Sequence, residues 1–173
     1  MDVRPATPAD AHAIAQIHVR TWQEAYARIV PADYLAALAV DKREAYWRAS
    51  IVAGTPCVLV CCDGSEMLGW IAFAASRDAG AAPTTAEVWA FYVAAQHWGR
   101  GVGRALWHAT HARLQRDGYR EVGLWAFPEN ERAGRFYRTI GFEAQPDTAK
   151  QFELGGAMLN EIRYARAIDA AAS

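Results

Sequence analysis

A surplus of basic charge is the first thing this chain lacks. Its 18 lysines and arginines are balanced by 19 aspartates and glutamates, for a formal net charge of −1. No basic tract runs longer than a few residues, so the electrostatic drive for nucleic-acid binding is missing. Cysteine is scarce: Cys57, Cys61 and Cys62 are the only three in 173 residues. Their odd count and close spacing fit neither a disulfide framework nor a zinc template. They lie in Pro56-Cys57-Val58-Leu59-Val60-Cys61-Cys62, an apolar run that reads as a buried strand in which free thiols act as small hydrophobes. No apolar run approaches the ~20 residues of a membrane-spanning helix. No apolar signal segment follows Met1-Asp2-Val3-Arg4-Pro5. The expectation is a cytoplasmic protein with neither membrane nor nucleic acid as partner.

The elements that are present alternate. Residues 2–6 read as a short strand. Thr7 then suits an N-cap with Pro8 at the first helical position, and Ile14, Ile17, His18, Thr21 and Ala25 recur at helical spacing to about residue 27. A break at Val30-Pro31 precedes a short helix through Tyr34, Leu35 and Leu38. Asp41 suits the cap of another helix ending before Gly54. Strands near 56–62 and 67–77 are joined at Asp63-Gly64, with Ser65 and Glu66 lengthening the loop. Residues 78–84 read as a loop. A strand over 85–94, a glycine turn, a helix over 101–117, a strand over 120–127, a helix over 130–140, and strands from Phe142 and over 157–167 complete the order. Ala170–Ser173 read as a frayed end. The pattern is mixed α/β, an antiparallel start followed by β-α-β-α-β, and a single domain over 1–173 is expected.

Gln96-His97-Trp98-Gly99-Arg100-Gly101-Val102-Gly103-Arg104 sits between the strand Glu87-Val88-Trp89-Ala90-Phe91-Tyr92-Val93 and a helix. The first N–H groups of a helix have no internal acceptor and lie at the positive end of its dipole. Glycines at 99, 101 and 103 remove side chains that would hold a pyrophosphate away. The spacing is not the G-x-G-x-x-G of a dinucleotide fold, and no Lys-Ser/Thr follows as in a nucleotide P-loop. A plain turn that lets a helix approach a sheet would look the same.

A second segment narrows the choice. Asn130-Glu131-Arg132-Ala133-Gly134-Arg135-Phe136-Tyr137-Arg138-Thr139-Ile140-Gly141-Phe142 follows the apolar run Val122–Phe127. Together the two segments resemble the GNAT superfamily of acyl-CoA-dependent N-acetyltransferases. The first is similar to its Q/R-x-x-G-x-G/A pyrophosphate loop, the second to its N-x-x-A-x-x-F-Y-x-x-x-G-F segment. The E-V-W-A-F-Y-V and L-W-A strands, the early T-W-Q-E-A-Y helix and the late E-I-R-Y-A-R strand agree, so the resemblance spans roughly residues 2–168. It implies a central twisted mixed sheet flanked by helices, with strands 4 and 5 splayed to hold acetyl-CoA. It further implies that the cofactor contacts Phe91, Tyr92 and Val93 along the strand, Gly99, Arg100, Gly101, Val102, Gly103 and Arg104 in the turn, and Asn130, which also suits an N-cap.

Acyl transfer to an amine needs the amine deprotonated, the oxyanion stabilised and the thiolate protonated. An alkylammonium with a pKa near 10 requires roughly 4 kcal/mol to become neutral at pH 7. By the resemblance, Glu87 stands where many members place a base, acting directly or through water; a structural strand-opening carboxylate is the other reading. Alternation puts Glu87, Trp89, Phe91 and Val93 on one strand face and Val88, Ala90 and Tyr92 on the other. A strand bulge is implied to present an N–H to the thioester carbonyl. Tyr137 shares a helix face with Ala133, Phe136 and Ile140. The resemblance makes it the proton donor to the departing thiolate; a core tyrosine is the alternative. No convincing Ser/His/Asp or Cys/His set is visible, which suits direct transfer without a covalent enzyme intermediate. Trp22, Tyr26, Trp89 and Trp125 are candidates for an apolar, cation-accommodating acceptor slot. His108 and His111 are expected on a solvent face with Arg104 and Gln115, and His97 takes no assigned role; no metal is expected. The reading is an N-acetyltransferase using acetyl-CoA on a primary amine, a small molecule in preference to a protein, as monomer or homodimer. An acyl-CoA-binding sensor without turnover and a protein N-terminal or lysine acetyltransferase are the alternatives.

Overall fold

Seven strands form one sheet in the order β1-β2-β3-β4-β5-β7-β6: β1 (Asp2–Pro5), β2 (Cys57–Asp63), β3 (Glu66–Ala75), β4 (Thr85–Val93), β5 (Glu121–Ala126), β6 (Glu143–Leu154) and β7 (Ala157–Ala167). Among the described residues five helices accompany them: α1 (Ala11–Ala25), α2 (Ala32–Ala36), α3 (Val40–Ala53), α4 (Val102–Arg116) and α5 (Glu131–Thr139). The computed structural model describes residues 1–169, and the expectation for Ala170–Ser173 lies outside them. Among the described strands only β4 and β5 pair in parallel. The mixed sheet flanked by helices is the architecture expected.

Strand alternation sorts side chains to two cores. Val58, Val60, Trp70 and Ala72 meet Ile14, Ile17 and Trp47 beneath α1 and α3. Leu59, Cys61, Ile71 and Phe73 meet Val102, Leu106 and Leu114 of α4 on the other face. A third cluster joins Val30 and Leu35 to Phe127 and Leu159. Cys61 is buried and Cys57 and Cys62 are half-buried, all three as free thiols whose pKa burial pushes up.

Local chemistry revises several boundaries. A 3-10 turn over Pro8–Asp10 precedes α1. Thr7 is its N-cap and Pro8 its first residue, as expected, and Asp10 completes a capping box: its carboxylate accepts from the Thr7 N–H at 2.7 Å and the Thr7 hydroxyl at 2.8 Å, while Arg4 donates to both of its oxygens at 2.8 Å. Ala39, not Asp41, caps α3; Asp41 sits in the first turn, where its charge suits the helix dipole. Asp63 pairs with Glu66, so the β2–β3 hairpin turns on Gly64-Ser65 alone and Glu66 belongs to the strand. β3 ends at Ala75, which releases Arg77 and Asp78 into the loop that follows.

The largest revision is in β4. Ala72 pairs with Ala90 and Phe73 with Val88, leaving Trp89 as an unpaired bulge residue. The bulge reverses the alternation expected from sequence. Val88, Phe91 and Val93 join the α4 core, whereas Ala90 and Tyr92 face α1 and α3.

His18 ties α1 to this sheet and sets a pH dependence. Trp47 Nε1 donates to its Nδ1 at 3.1 Å, and its ring stacks on Tyr92 with centroids 5.0 Å apart. Nδ1 must be bare to accept, so the ring is neutral. Burial, aided by the charge of Arg43, pushes its pKa down to about 3 from 6.5. Between those values the unfolded chain holds a proton that the folded chain does not. Stability therefore falls as pH drops below 6.5 and is unaffected by this group above it. Denaturant titrations at pH 7 and pH 5 should differ on this account by about 1–2 kcal/mol. His18→Gln, which keeps an acceptor for Trp47, should lose that part of the difference. An unchanged difference would place a charged imidazole in the fold.

Candidate active site

The parallel ladder between β4 and β5 lasts three residue pairs, Thr85↔Glu121, Ala86↔Val122 and Glu87↔Gly123. Both strands continue, β4 to Val93 and β5 to Ala126, without further pairing. The β5-facing edge of β4 from Val88 onward is therefore open. Two cavities lie along this split. One of about 540 Å³ runs between β4 and the N-terminal ends of α4 and α5; one of about 420 Å³ runs between β4, β5 and the β6–β7 hairpin. Tyr26 and Tyr92 belong to the walls of both.

The glycine turn forms the floor of the larger cavity. Gly99 and Gly101 adopt φ of 76° and 85°, the left-handed region in which side chains are disfavoured. Ala105 is the first residue of α4 whose N–H finds a helical acceptor, Gly101 O at 3.0 Å. The N–H groups of Gly99, Gly101, Val102, Gly103 and Arg104 have no backbone acceptor among the described residues. Five free donors at the positive end of a 15-residue helix make an anion cradle. Gly103 serves a different purpose from the one expected. A Cβ there would stand 2.9 Å from the Phe136 ring, so its missing side chain lets α5 dock on α4 rather than clearing space for phosphate. Trp98 fixes the turn, donating from Nε1 to Val93 O at 2.8 Å, and Arg132 lies 3.8 Å over its ring. His97, buried beneath the turn, meets Glu66 at 2.9 Å.

The structure brings nine of the ten expected cofactor contacts to this cavity; Arg100 is exposed and does not line it. Asn130 caps α5, its Oδ1 accepting from the Ala133 N–H at 3.3 Å, and lines the cavity as well. Tyr137 lines it between Phe136 and Tyr164. Burial raises the Tyr137 pKa, so the phenol holds its proton at neutral pH. The protonated phenol, free strand edge and anion cradle fit an acylated pantetheine with its pyrophosphate. Thr21, whose buried hydroxyl has no partner, also lines the cavity and carried no sequence signal beyond helical spacing.

Trp22, Tyr26, Trp89 and Trp125 all line the smaller cavity, together with Glu87. Trp22 Nε1 donates to the Tyr92 hydroxyl at 2.9 Å, which holds the partition between the cavities. The Glu87 carboxylate is buried and engaged: it accepts from the Arg77 N–H at 2.9 Å and pairs with the Arg77 guanidinium. Arg77, Asp78, Lys150 and Glu161 are charged lining residues that sequence reasoning missed. Asp78 accepts from Trp125 Nε1 at 2.8 Å and from Arg163 at 3.2 Å. The histidines on α4 lie elsewhere: His111 is half-buried against Trp107, off the solvent face expected for it, and His108 is exposed. Among the described residues no cluster of three or more His, Cys, Asp or Glu is placed to hold a metal. No described helix is long and apolar enough to cross a membrane.

The Gly103–Phe136 contact gives a direct test of how the cradle is held. Gly103→Ala should lower stability by about 1–3 kcal/mol through overpacking, seen as a drop in the thermal midpoint. A midpoint unchanged by the substitution would mean that the Phe136 ring has room to retreat.

Known proteins share this fold. The family model described as acetyltransferase (GNAT) family matches residues 12–142. An uncharacterised N-acetyltransferase of Bacillus subtilis (strain 168), YuaI, is 28% identical over 161 residues, covering 92% of this chain and 89% of that protein. The aminoglycoside N(6')-acetyltransferase type 1 of Stenotrophomonas maltophilia is 30% identical over 144 residues, covering 82% and 85%. Among solved structures, the PaiA N-acetyltransferase of Thermoplasma acidophilum in complex with coenzyme A superposes with a TM-score of 0.78 at 16% identity, covering 96% of this chain and 98% of that one. YncA of Salmonella typhimurium, solved with its cofactor acetyl-CoA, gives 0.75 at 23% identity, covering 100% and 96%. With the matched family model spanning both the glycine turn and the Asn130–Phe142 segment, the chain belongs to the acetyltransferase (GNAT) family.

Proposed function

We propose that this enzyme moves an acetyl group from acetyl-CoA directly to a primary amine of a small molecule. The observation that carries the reading is the adjacency of the two cavities, which share Tyr26 and Tyr92 beside the open edge of β4. The larger has the features of a donor groove: free helix N–H groups, Arg104, and the open β5-facing edge of β4. The smaller has the features of an amine slot, with aromatic walls and carboxylates. Its walls come from six separate segments around about 420 Å³, which suits a compact acceptor better than a protein surface. The relative named for aminoglycosides supports an amine on a small molecule.

Acetyl-CoA supplies an acyl thioester that an amine attacks without a covalent enzyme intermediate. The N–H groups of Gly99, Gly101, Val102, Gly103 and Arg104 hold its pyrophosphate, aided by the Arg132 guanidinium stacked over Trp98. Asn130 and the β4 edge through Phe91, Tyr92 and Val93 hold the pantetheine arm. Tyr137 keeps its proton because burial disfavours the phenolate, and delivers it to the leaving sulfur. Glu87 receives the amine's proton, directly or through a water molecule. The Arg77 guanidinium now occupies that carboxylate and has to yield it to the acceptor.

Thiol release measured across a panel of amines, with calorimetry of coenzyme A binding, tests the reading. Tight coenzyme A binding without thiol release for any amine would point to a sensor instead. Tyr137→Phe should lower kcat ~10- to 100-fold while leaving acetyl-CoA affinity near that of the wild type. Parallel losses in rate and affinity would make Tyr137 a packing residue. Glu87→Gln should lose most of kcat/KM near pH 7 and regain it toward the amine's own pKa of about 10. A constant ratio of wild type to variant across that range would remove Glu87 as the base.

A further inference from the structure

The smaller cavity holds two positive charges of the protein's own, and each occupies the same kind of place. The Arg77 guanidinium lies 4.3 Å from the Trp89 ring centroid and is paired with Glu87. The Lys150 ammonium lies 3.5 Å from the Trp125 ring centroid and 3.2 Å from Glu161 Oε1. An indole face with a carboxylate beside it is a recognition site for a cation. The third carboxylate, Asp78, is committed to structure through Trp125 and Arg163.

Burial tells which member of each pair is fixed. The Glu87 side chain is 4% exposed and Arg77 57%; Glu161 is 22% exposed and Lys150 49%. The carboxylates and rings are built into β4, β5 and β7, whereas the cations stand on long flexible stems that reach water. Arg77 lies in the loop beyond β3, and Lys150 resumes the β6 ladder where the register slips after Gln145. Either cation can swing out and leave its carboxylate and ring in place. A site built to hold an anion would have the reverse order, with fixed buried cations.

We propose that Arg77 and Lys150 are tethered occupants of two cation subsites, and that the acceptor is therefore a diamine or polyamine. One ammonium displaces Arg77 from Trp89 and Glu87 and is the group acetylated. A second displaces Lys150 from Trp125 and Glu161 and sets the distance along the molecule at which acetylation occurs. This rests on the smaller cavity being the acceptor slot. It adds the number of charges the acceptor carries and identifies Lys150 and Glu161 as specificity-determining residues.

The test is calorimetry with coenzyme A present, titrating alkyl monoamines, terminal diamines of increasing length, and an amino acid as the anionic control. Wild type should bind one length range of diamine ~10-fold more tightly than the matching monoamine, the gain of one cation subsite. Lys150→Met, which keeps the stem and removes the competing charge, should tighten that diamine several-fold and leave the monoamine within ~2-fold. Glu161→Gln should weaken the diamine alone. If Lys150→Met folds poorly, Lys150→Gln takes its place. Diamines no tighter than monoamines, a diamine weakened by the Lys150 variants, or an amino acid that binds wild type and is lost in those variants would each overturn the inference. Thiol release from the same proteins and amines, with acetyl-CoA in place of coenzyme A, separates the two readings. Transfer to amines without a diamine preference sinks only the diamine, whereas diamine binding with no transfer to any amine sinks the transferase assignment of the slot.

Discussion

Both cavities depend on one event, the parting of β4 and β5 after three residue pairs. Neighbouring parallel strands with apolar faces would ordinarily continue their ladder, since each further residue gains hydrogen bonds. Two features at the fork oppose that. The Trp89 bulge on β4 removes one residue from register with β3 and bends the strand. On β5, Gly123 is covered by Arg163, whose guanidinium would lie only 2.8 Å from a Cβ at that position. That guanidinium donates to Glu121 at 2.7 Å, to Asp78 at 3.2 Å and to Gln145 at 3.0 Å. With its side chain 15% exposed, Arg163 locks β5, β6, β7 and the loop beyond β3 into one unit that β4 leaves. The open edge of β4 is thus a consequence of packing, and the donor groove inherits its width from it.

The bulge has a second effect on chemistry. By shifting phase, it sends Phe91 and Val93 to the α4 side and Tyr92 to the α1 side. Had the strand kept strict alternation, Glu87 would share a face with Phe91 and Val93 and point toward the donor groove. Instead Glu87 opens into the acceptor cavity while Phe91 meets Phe136 edge-on at 5.4 Å beside that groove. A single extra residue separates Glu87's side of the sheet from the side that faces the glycine-turn cavity. Tyr92, beyond the bulge, becomes the partition between them.

How much of this was legible follows from where each part sits along the chain. The donor half is local. The glycine turn and the helix it starts are consecutive, and the Asn130–Phe142 helix carries its own cap, apolar spacing and tyrosine. Sequence patterns of that kind report their geometry, and all but Arg100 of the expected contacts line the groove. The role of Gly103 was misread because the reason for its missing side chain, the Phe136 ring, is more than thirty residues away. The acceptor half is non-local. The aromatic wall was recognisable from composition, but Arg77, Asp78, Lys150 and Glu161 meet only through the pairing of β6 with β7 and the early end of β3. Alternation assumes an unbroken ladder, and both the β4 bulge and the slip between Gln145 and Lys150 break it.

The same contrast bears on how such an enzyme varies its substrate while keeping its reaction. The donor groove is built from backbone: helix N–H groups, a strand edge and positive-φ glycines, none of which tolerates much change of side chain. The acceptor slot is built from side chains at the ends of strands and in loops, where a residue can change without moving the sheet. Pairs such as Arg77 with Glu87 and Lys150 with Glu161 balance the charge of the slot's carboxylates, of which Glu87 is buried. A carboxylate as buried as Glu87 is costly to leave without a partner charge. The tethered cations thus maintain the slot in its charged, receptive form, at the expense of a competition that every acceptor must win.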